Sequence, residues 1–130
     1  MLFAKEDTSN DPLTHKIIGA AIEVHRTLGP GLLESVYEQC LCYELGNMGV
    51  SVVRQQAIPV KYKDILIDGG FRADIIVEGK VLVELKACEK VLPVHEAALL
   101  TYMKLTGIHR SLLINFNVFL LKDGVQRFVL

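Results

Sequence analysis

The chain has 130 residues, of which 51% are hydrophobic and 22% charged, with a net charge of −1. That length fits one domain, and the apolar content supplies a core without disulfides or a structural metal, which excludes intrinsic disorder. The near-neutral charge excludes a protein that coats duplex nucleic acid with a broad basic surface, so any nucleic-acid contact must be local.

Residues 1–12 read as a flexible N-terminal tail, polar and mixed, without an apolar signal core. No apolar run approaches the ~20 residues of a membrane span. The three cysteines, Cys40, Cys42 and Cys88, form no C-x-x-C pair, and residues two apart on a helix point to different sides. They read as reduced thiols, so the expectation is a soluble cytoplasmic protein.

A single domain follows over 13–130. Leu13 to Leu28 is the first predicted helix, with Ile17, Ile18, Ala21, Val24 and Leu28 at helical spacing. Gly29-Pro30-Gly31 breaks it. A second helix runs from about Leu32 to Met48, stopped by Gly49. From Val50 the pattern turns extended. Val50 to Tyr62 contains Pro59, which marks an edge strand or a bulge. Ile65 to Ile67 is a short extended piece, and Phe71 to Val77 pairs with Lys80 to Lys86 as a hairpin around Glu78-Gly79. Pro93 and Gly107 bracket a third helix, Pro93 to Thr106. Ile108 to Phe119 reads as a buried strand and Gln126 to Leu130 as a final short one. The fold class is α/β, a mixed sheet flanked by helices in the order α-α-β-β-β-α-β-β.

Chemistry concentrates in Asp74, Glu84 and Lys86. Residues two apart on a strand share a face, so Glu84 and Lys86 point one way while Val81, Val83 and Leu85 point the other. Hairpin register decides whether Asp74 joins them. A two-residue turn at Glu78-Gly79 puts Asp74 opposite Val83, on the wrong face. An odd loop, such as Val77-Glu78-Gly79, puts it opposite Leu82 and beside Glu84, with Gly79 in a left-handed position. The odd register is the expectation. On the second helix, Glu34 and Tyr37 share a face three residues apart, which turns Glu34 towards the sheet.

Two carboxylates suit Mg²⁺ or Mn²⁺, hard cations that prefer oxygen. Such a cation polarises a phosphodiester and acidifies water, and a lysine alongside orients the water or offsets phosphate charge. The same residues also read as a structural ion pair in a half-buried hairpin, with Glu34 as a solvated acid favoured by the helix dipole.

The combination of Gly31-x-x-Glu34-x-x-Tyr37, Asp74 and Glu84-x-Lys86 resembles the GxxExxY family of small PD-(D/E)XK nuclease-like proteins. Segments 25–38, 71–87 and 107–118 match as well, so the resemblance runs from about Leu13 to Leu130. It implies a restriction-endonuclease-like fold and a metal-dependent nuclease. By position it implies metal ligation by Glu34, Asp74, Glu84 and the backbone carbonyl of Leu85, with Lys86 as the catalytic lysine. Related nucleases often carry Gln-x-x-x-Tyr on the helix after the lysine strand. Here Tyr102 is present, but Ala98 stands at the glutamine position.

Tyr102, His95 and Tyr37 are the candidate substrate contacts. Lys90, Lys104 and Arg110 are a candidate basic rim, and the remaining histidines have no metal-ligand spacing. The expected activity is Mg²⁺- or Mn²⁺-dependent hydrolysis of nucleic acid, DNA in the first instance, through a local contact. A homodimer is a further expectation, since so small a domain offers little surface to grip a duplex. The competing readings are a weakly active or inactive nuclease-fold protein that serves as a nucleic-acid-binding or protein-interaction module, and a structural ion-pair cluster.

Overall fold

The computed structural model describes residues 5–130. Two strands and two helices open the chain's core: β1 (Lys5–Glu6), α1 (Pro12–Leu28), α2 (Glu34–Asn47) and β2 (Val52–Tyr62). Then come β3 (Ile65–Val77), β4 (Val81–Lys86), α3 (Pro93–Thr106), β5 (Arg110–Asn115), a 3-10 turn at Leu121–Gly124, and β6 (Val125–Val129). The six strands form one sheet in the order β1-β6-β5-β4-β3-β2. Among the described residues only β4 and β5 run parallel, as α3 between them requires; the other neighbours are antiparallel.

Strand alternation builds two cores. Val81, Val83 and Leu85 pack with Leu112 and Ile114 against α1 and α2, through Ile17, Ala21, Tyr37 and Leu41. Leu82 and Leu113 face the other way, against Leu99 and Met103 of α3. A sheet buried on both faces accounts for the continuous apolar runs in β4 and β5. This is the helix-flanked mixed sheet expected from the sequence.

Several boundaries differ. Residues 1–4 of the expected tail lie outside the described ones, while Lys5 and Glu6 pair with Val129 and Phe128. Asp7 is buried and receives Arg110 Nη1 at 2.9 Å. Arg110 is therefore committed to a structural ion pair and not to a basic rim. The extended pieces around Ile65 and Phe71 are one strand. Its register against β2 shifts between Ile58 and Val60, at Pro59. Gly70 lies where a Cβ would stand 2.1 Å from Val60 Cγ2, so no larger residue fits without movement. The expected long strand from Ile108 to Phe119 is a six-residue strand. Beyond it Asn115 turns the chain, with Oδ1 accepting from the amides of Cys88 at 3.2 Å and Asn117 at 3.1 Å.

The β3–β4 hairpin has an odd, three-residue loop, Glu78-Gly79-Lys80, one residue further along than expected. Val77 pairs with Val81, Ile76 with Leu82 and Ile75 with Val83. Glu78 and Gly79 take φ of 54° and 64°. The loop is tied to the start of β2 by Glu78 N–H to Ser51 O and Ser51 N–H to Glu78 Oε1, both 2.8 Å. Continued by one step, this register sets Asp74 across from Glu84, not Leu82.

Candidate active site

The regular ladder of β3 and β4 stops at Ile75 and Val83, and the carboxyl groups begin there. Asp74 Oδ2 accepts the backbone N–H of Leu85 at 2.9 Å, and Glu84 Oε1 accepts that of Asp74 at 3.3 Å. Each acid thus fills a backbone bond that the parting strands no longer make. The alternation of β3 also breaks here. Ala73 packs in the α3-side core, whereas Ile75, two residues on, packs under α1 and α2. On the facing strand, Gln55 between the paired Arg54 and Gln56 has φ 50°, a left-handed value. The sheet is locally wrung at Asp74, which swings its carboxylate towards α2.

The α1–α2 connection brings Glu34 to the same place. Tyr37 is fully buried, stacked on Phe116 with ring centroids 4.4 Å apart. Its hydroxyl donates to Gly29 O at 2.6 Å and accepts from Leu32 N at 3.1 Å. That clasp closes the Gly29–Leu32 bend and sets the start of α2, where Glu34 is the first helical residue. Tyr37 is thereby used inside the fold and presents no surface to a substrate.

A cavity of about 350 Å³ is lined by Glu34, Ser35, Glu38, Gln55, Asp74 and Leu85. Besides Ser35, two of these residues went unread in the sequence. Glu38 is buried, one turn after Glu34 on the same face, and receives Arg54 Nη2 at 3.0 Å. Gln55 donates its amide to Glu38 Oε1 and to Asp74 Oδ1, the latter at 3.3 Å. The spacing of Glu34 and Glu38 was a usable signal for the first. Nothing local marks the second, which depends on strand pairing.

Charges converge strongly here. The carboxyl of Glu84 is pushed up to about 8, by burial first and then by the neighbouring Asp74 carboxylate, with Lys86 pulling the other way. Glu34 is also raised. Partial burial is the main cause, Asp74 and Glu38 add to it, and Lys86 and His95 oppose it. Lys86 is half-buried at the end of β4, its carbonyl accepting Phe116 N–H at 2.9 Å.

The remaining candidates divide. His95 lies close enough to act on Glu34, but its Nδ1 accepts Leu92 N–H at 3.0 Å, so it also caps α3. Tyr102 stacks on Phe71 at 4.1 Å, in the packing between α3 and β3. Asp74 and Glu84 meet as a pair, and Glu34 shares a cavity with Asp74. Among the described residues, no three His, Cys, Asp or Glu side chains are gathered closely enough to hold a metal as a ready-made set.

The sequence model of the PD-(D/E)XK nuclease superfamily matches residues 11–128, nearly the whole chain. The protein belongs to the PD-(D/E)XK nuclease superfamily. Comparisons with curated proteins and with solved structures give no match. Membership carries a nuclease, and hence a nucleic-acid substrate, as the activity of the fold, and members commonly use divalent metals. Among the described residues no helix is long and apolar enough to cross a membrane.

Proposed function

We propose that this superfamily member is a Mg²⁺- or Mn²⁺-dependent nuclease of the GxxExxY group, hydrolysing phosphodiester bonds of nucleic acid at Asp74, Glu84, Glu34 and Lys86. The observation that carries the reading is the abutting Asp74 and Glu84 carboxyls at the parted end of β3 and β4. Burial first, and then repulsion from the half-buried Asp74 carboxylate beside it, raises the Glu84 carboxyl to about 8. A hard divalent cation relieves that repulsion, and the donors on offer are oxygens. Asp74 and Glu84 would hold it, with Glu34 and the Leu85 carbonyl as further oxygen donors.

A cation held there supplies positive charge that polarises the phosphodiester and acidifies water. The chain's own residues do the rest. Leu85 N–H and the Gln55 amide fix the two oxygens of Asp74. The Lys86 ammonium, beside Glu84, offsets negative charge growing on the phosphate and orients the attacking water. Water oxygen bonds to phosphorus as the bond to the leaving oxygen breaks, and the proton given up by water passes through solvent to the leaving oxygen.

Gln55 also bears on Ala98. The amide that related nucleases place on the third helix is missing, but an amide does reach Asp74, from β2. This favours an active enzyme over a silent scaffold.

Calorimetry with Mn²⁺ and with Mg²⁺, on wild type and Asp74→Ala, tests the ligand set: binding by the first and not the second is expected. A Mn²⁺ cleavage screen over single-stranded DNA, duplex DNA, RNA and branched substrates tests the activity. Lys86→Ala is expected to lose about 100-fold or more in rate while keeping metal affinity. Absence of Mn²⁺ and Mg²⁺ binding by the wild type would remove the proposal.

A further inference from the structure

We infer that the apolar cavity between α1 and the loop after β5 is a base-stacking subsite for a single strand of nucleic acid, with Phe119 as its platform. This inference rests on the nuclease reading and names the form of substrate. The cavity, about 660 Å³, is lined by Ile22, Arg26, Pro30, Phe119, Leu120 and Lys122 among others. Phe119 is 97% exposed and Leu120 57%. Leaving a whole aromatic ring in water forgoes a large burial gain. A flat apolar ring beside two cations matches a base with its phosphates: the ring takes the base face and Arg26 and Lys122 the backbone. Lys122 makes no ion pair among the described residues, while Arg26 pairs with Glu23.

The ring stands on a braced loop. His25 Nε2 bonds Val118 O at 2.8 Å, and Asp123 N–H donates to Leu120 O at 3.0 Å. Gly124 lies so close to Asn115 O that a Cβ would stand 2.1 Å away. The bracing holds the loop backbone, so mainly the ring's own rotamer freedom is lost when a base settles on it.

The cavity also lies close to the carboxylates. Pro30, in its wall, is four residues before Glu34, a span of at most about 14 Å along the chain. Phe119 is three residues after Phe116, which is bonded to Lys86, a span of at most about 11 Å. A strand of a few nucleotides bridges the two. With a net charge of −1, affinity cannot come from blanketing a duplex with cations. Stacking, available only to unpaired bases, supplies it instead.

The test uses the full chain in EDTA, to prevent cutting. Fluorescence anisotropy follows labelled oligothymidylate and oligouridylate of about 12 nucleotides, and a duplex of equal length. Wild type is expected to bind one or both single strands more tightly than the duplex. Phe119→Ala should weaken single-strand binding about tenfold and duplex binding less than twofold, and Phe119→Trp should restore it. Equal single-strand affinity in Phe119→Ala overturns the inference. So does a wild-type dimer that Phe119→Ala dissociates in sedimentation, since the cavity would then hold a second copy. A wild type that binds no oligonucleotide overturns it as well. Mn²⁺ calorimetry and the cleavage screen judge the nuclease reading separately. A protein that cuts with Mn²⁺ but ignores Phe119→Ala keeps that reading and loses this one.

Discussion

The amide of Leu85 donates to Asp74 Oδ2 at 2.9 Å, across two strands that have stopped pairing with each other. A side chain has taken over a ladder bond, so Asp74 is held by the backbone of the strand that carries Glu84 and Lys86. Carboxylates fixed in this way cannot relax apart when both are charged. Charging Glu84 therefore costs free energy, through burial first and repulsion from Asp74 second, and the rest of the fold must offset that cost.

Glu84→Gln should stabilise the metal-free protein. The Glu84 carboxyl is raised from 4.5 to about 8 in the fold. A raised acid favours folding below its unfolded value, and that contribution is lost as pH climbs from about 4.5 through 8. Wild type in EDTA should therefore lose thermal stability across this window, and Glu84→Gln should lose less. By pH 8.5 the variant should melt a few degrees higher, on the order of 1–3 kcal/mol. Melting curves that superimpose over the whole pH range would show that charging Glu84 carries no such cost.

Tyr37→Phe should cost about 1–3 kcal/mol, because it keeps the stack on Phe116 but removes the hydroxyl that serves Gly29 O and Leu32 N. The bend before α2 then loosens, and Glu34 with it. Urea unfolding should show the loss in midpoint at constant slope. A change below a few tenths of a kcal/mol would mean that the clasp does not hold the bend.

Much of this was legible because sequence punctuation is physical. Pro93 and Gly107 bracket α3 at Pro93–Thr106, where a fixed φ starts the helix and a left-handed residue ends it. Pro59 marked the register shift of edge strand β2. The parity of the β3–β4 loop followed from needing Asp74 and Glu84 together, although the register lay one step further along. Apolar composition alone misled at Ile108 to Phe119. Phe116 is as buried as any strand residue, but it packs under α2 against Tyr37, beyond the last pair of β5. Tyr37 looked like a site residue by its spacing from Glu34, and its burial removes it from any surface. Gln55 could not be read, since its place opposite Asp74 is set by pairing between positions 19 apart in sequence and by a left-handed φ that glutamine seldom adopts.

Gln55→Gly should move stability and metal affinity in opposite directions. Glycine accepts φ 50° without strain, a relief of about 1 kcal/mol. The amide that orients Asp74 and Glu38 is lost at the same time. The melting temperature should hold or rise slightly, while Mn²⁺ affinity falls about tenfold, the usual cost of losing a partner behind a ligand. Unchanged Mn²⁺ affinity would show that Asp74 needs no help from β2.

Asp11→Ala should weaken the fold at neutral pH and leave it unchanged in acid. Asp11 Oδ2 caps α1, accepting from Thr14 N at 2.9 Å and Thr14 Oγ1 at 2.7 Å. The Thr14 hydroxyl is the main reason that the Asp11 carboxyl lies below its ordinary value of 3.8, and Arg110 assists. A lowered acid contributes stability above its unfolded value, and that contribution disappears as pH falls through the lower, folded one. The substitution should therefore cost about 1 kcal/mol at pH 7 and progressively less below pH ~4, as the wild-type cap is itself protonated. A cost that stays constant from pH 7 down to pH 2.5 would place the effect in helix propensity or packing, and not in a charged cap.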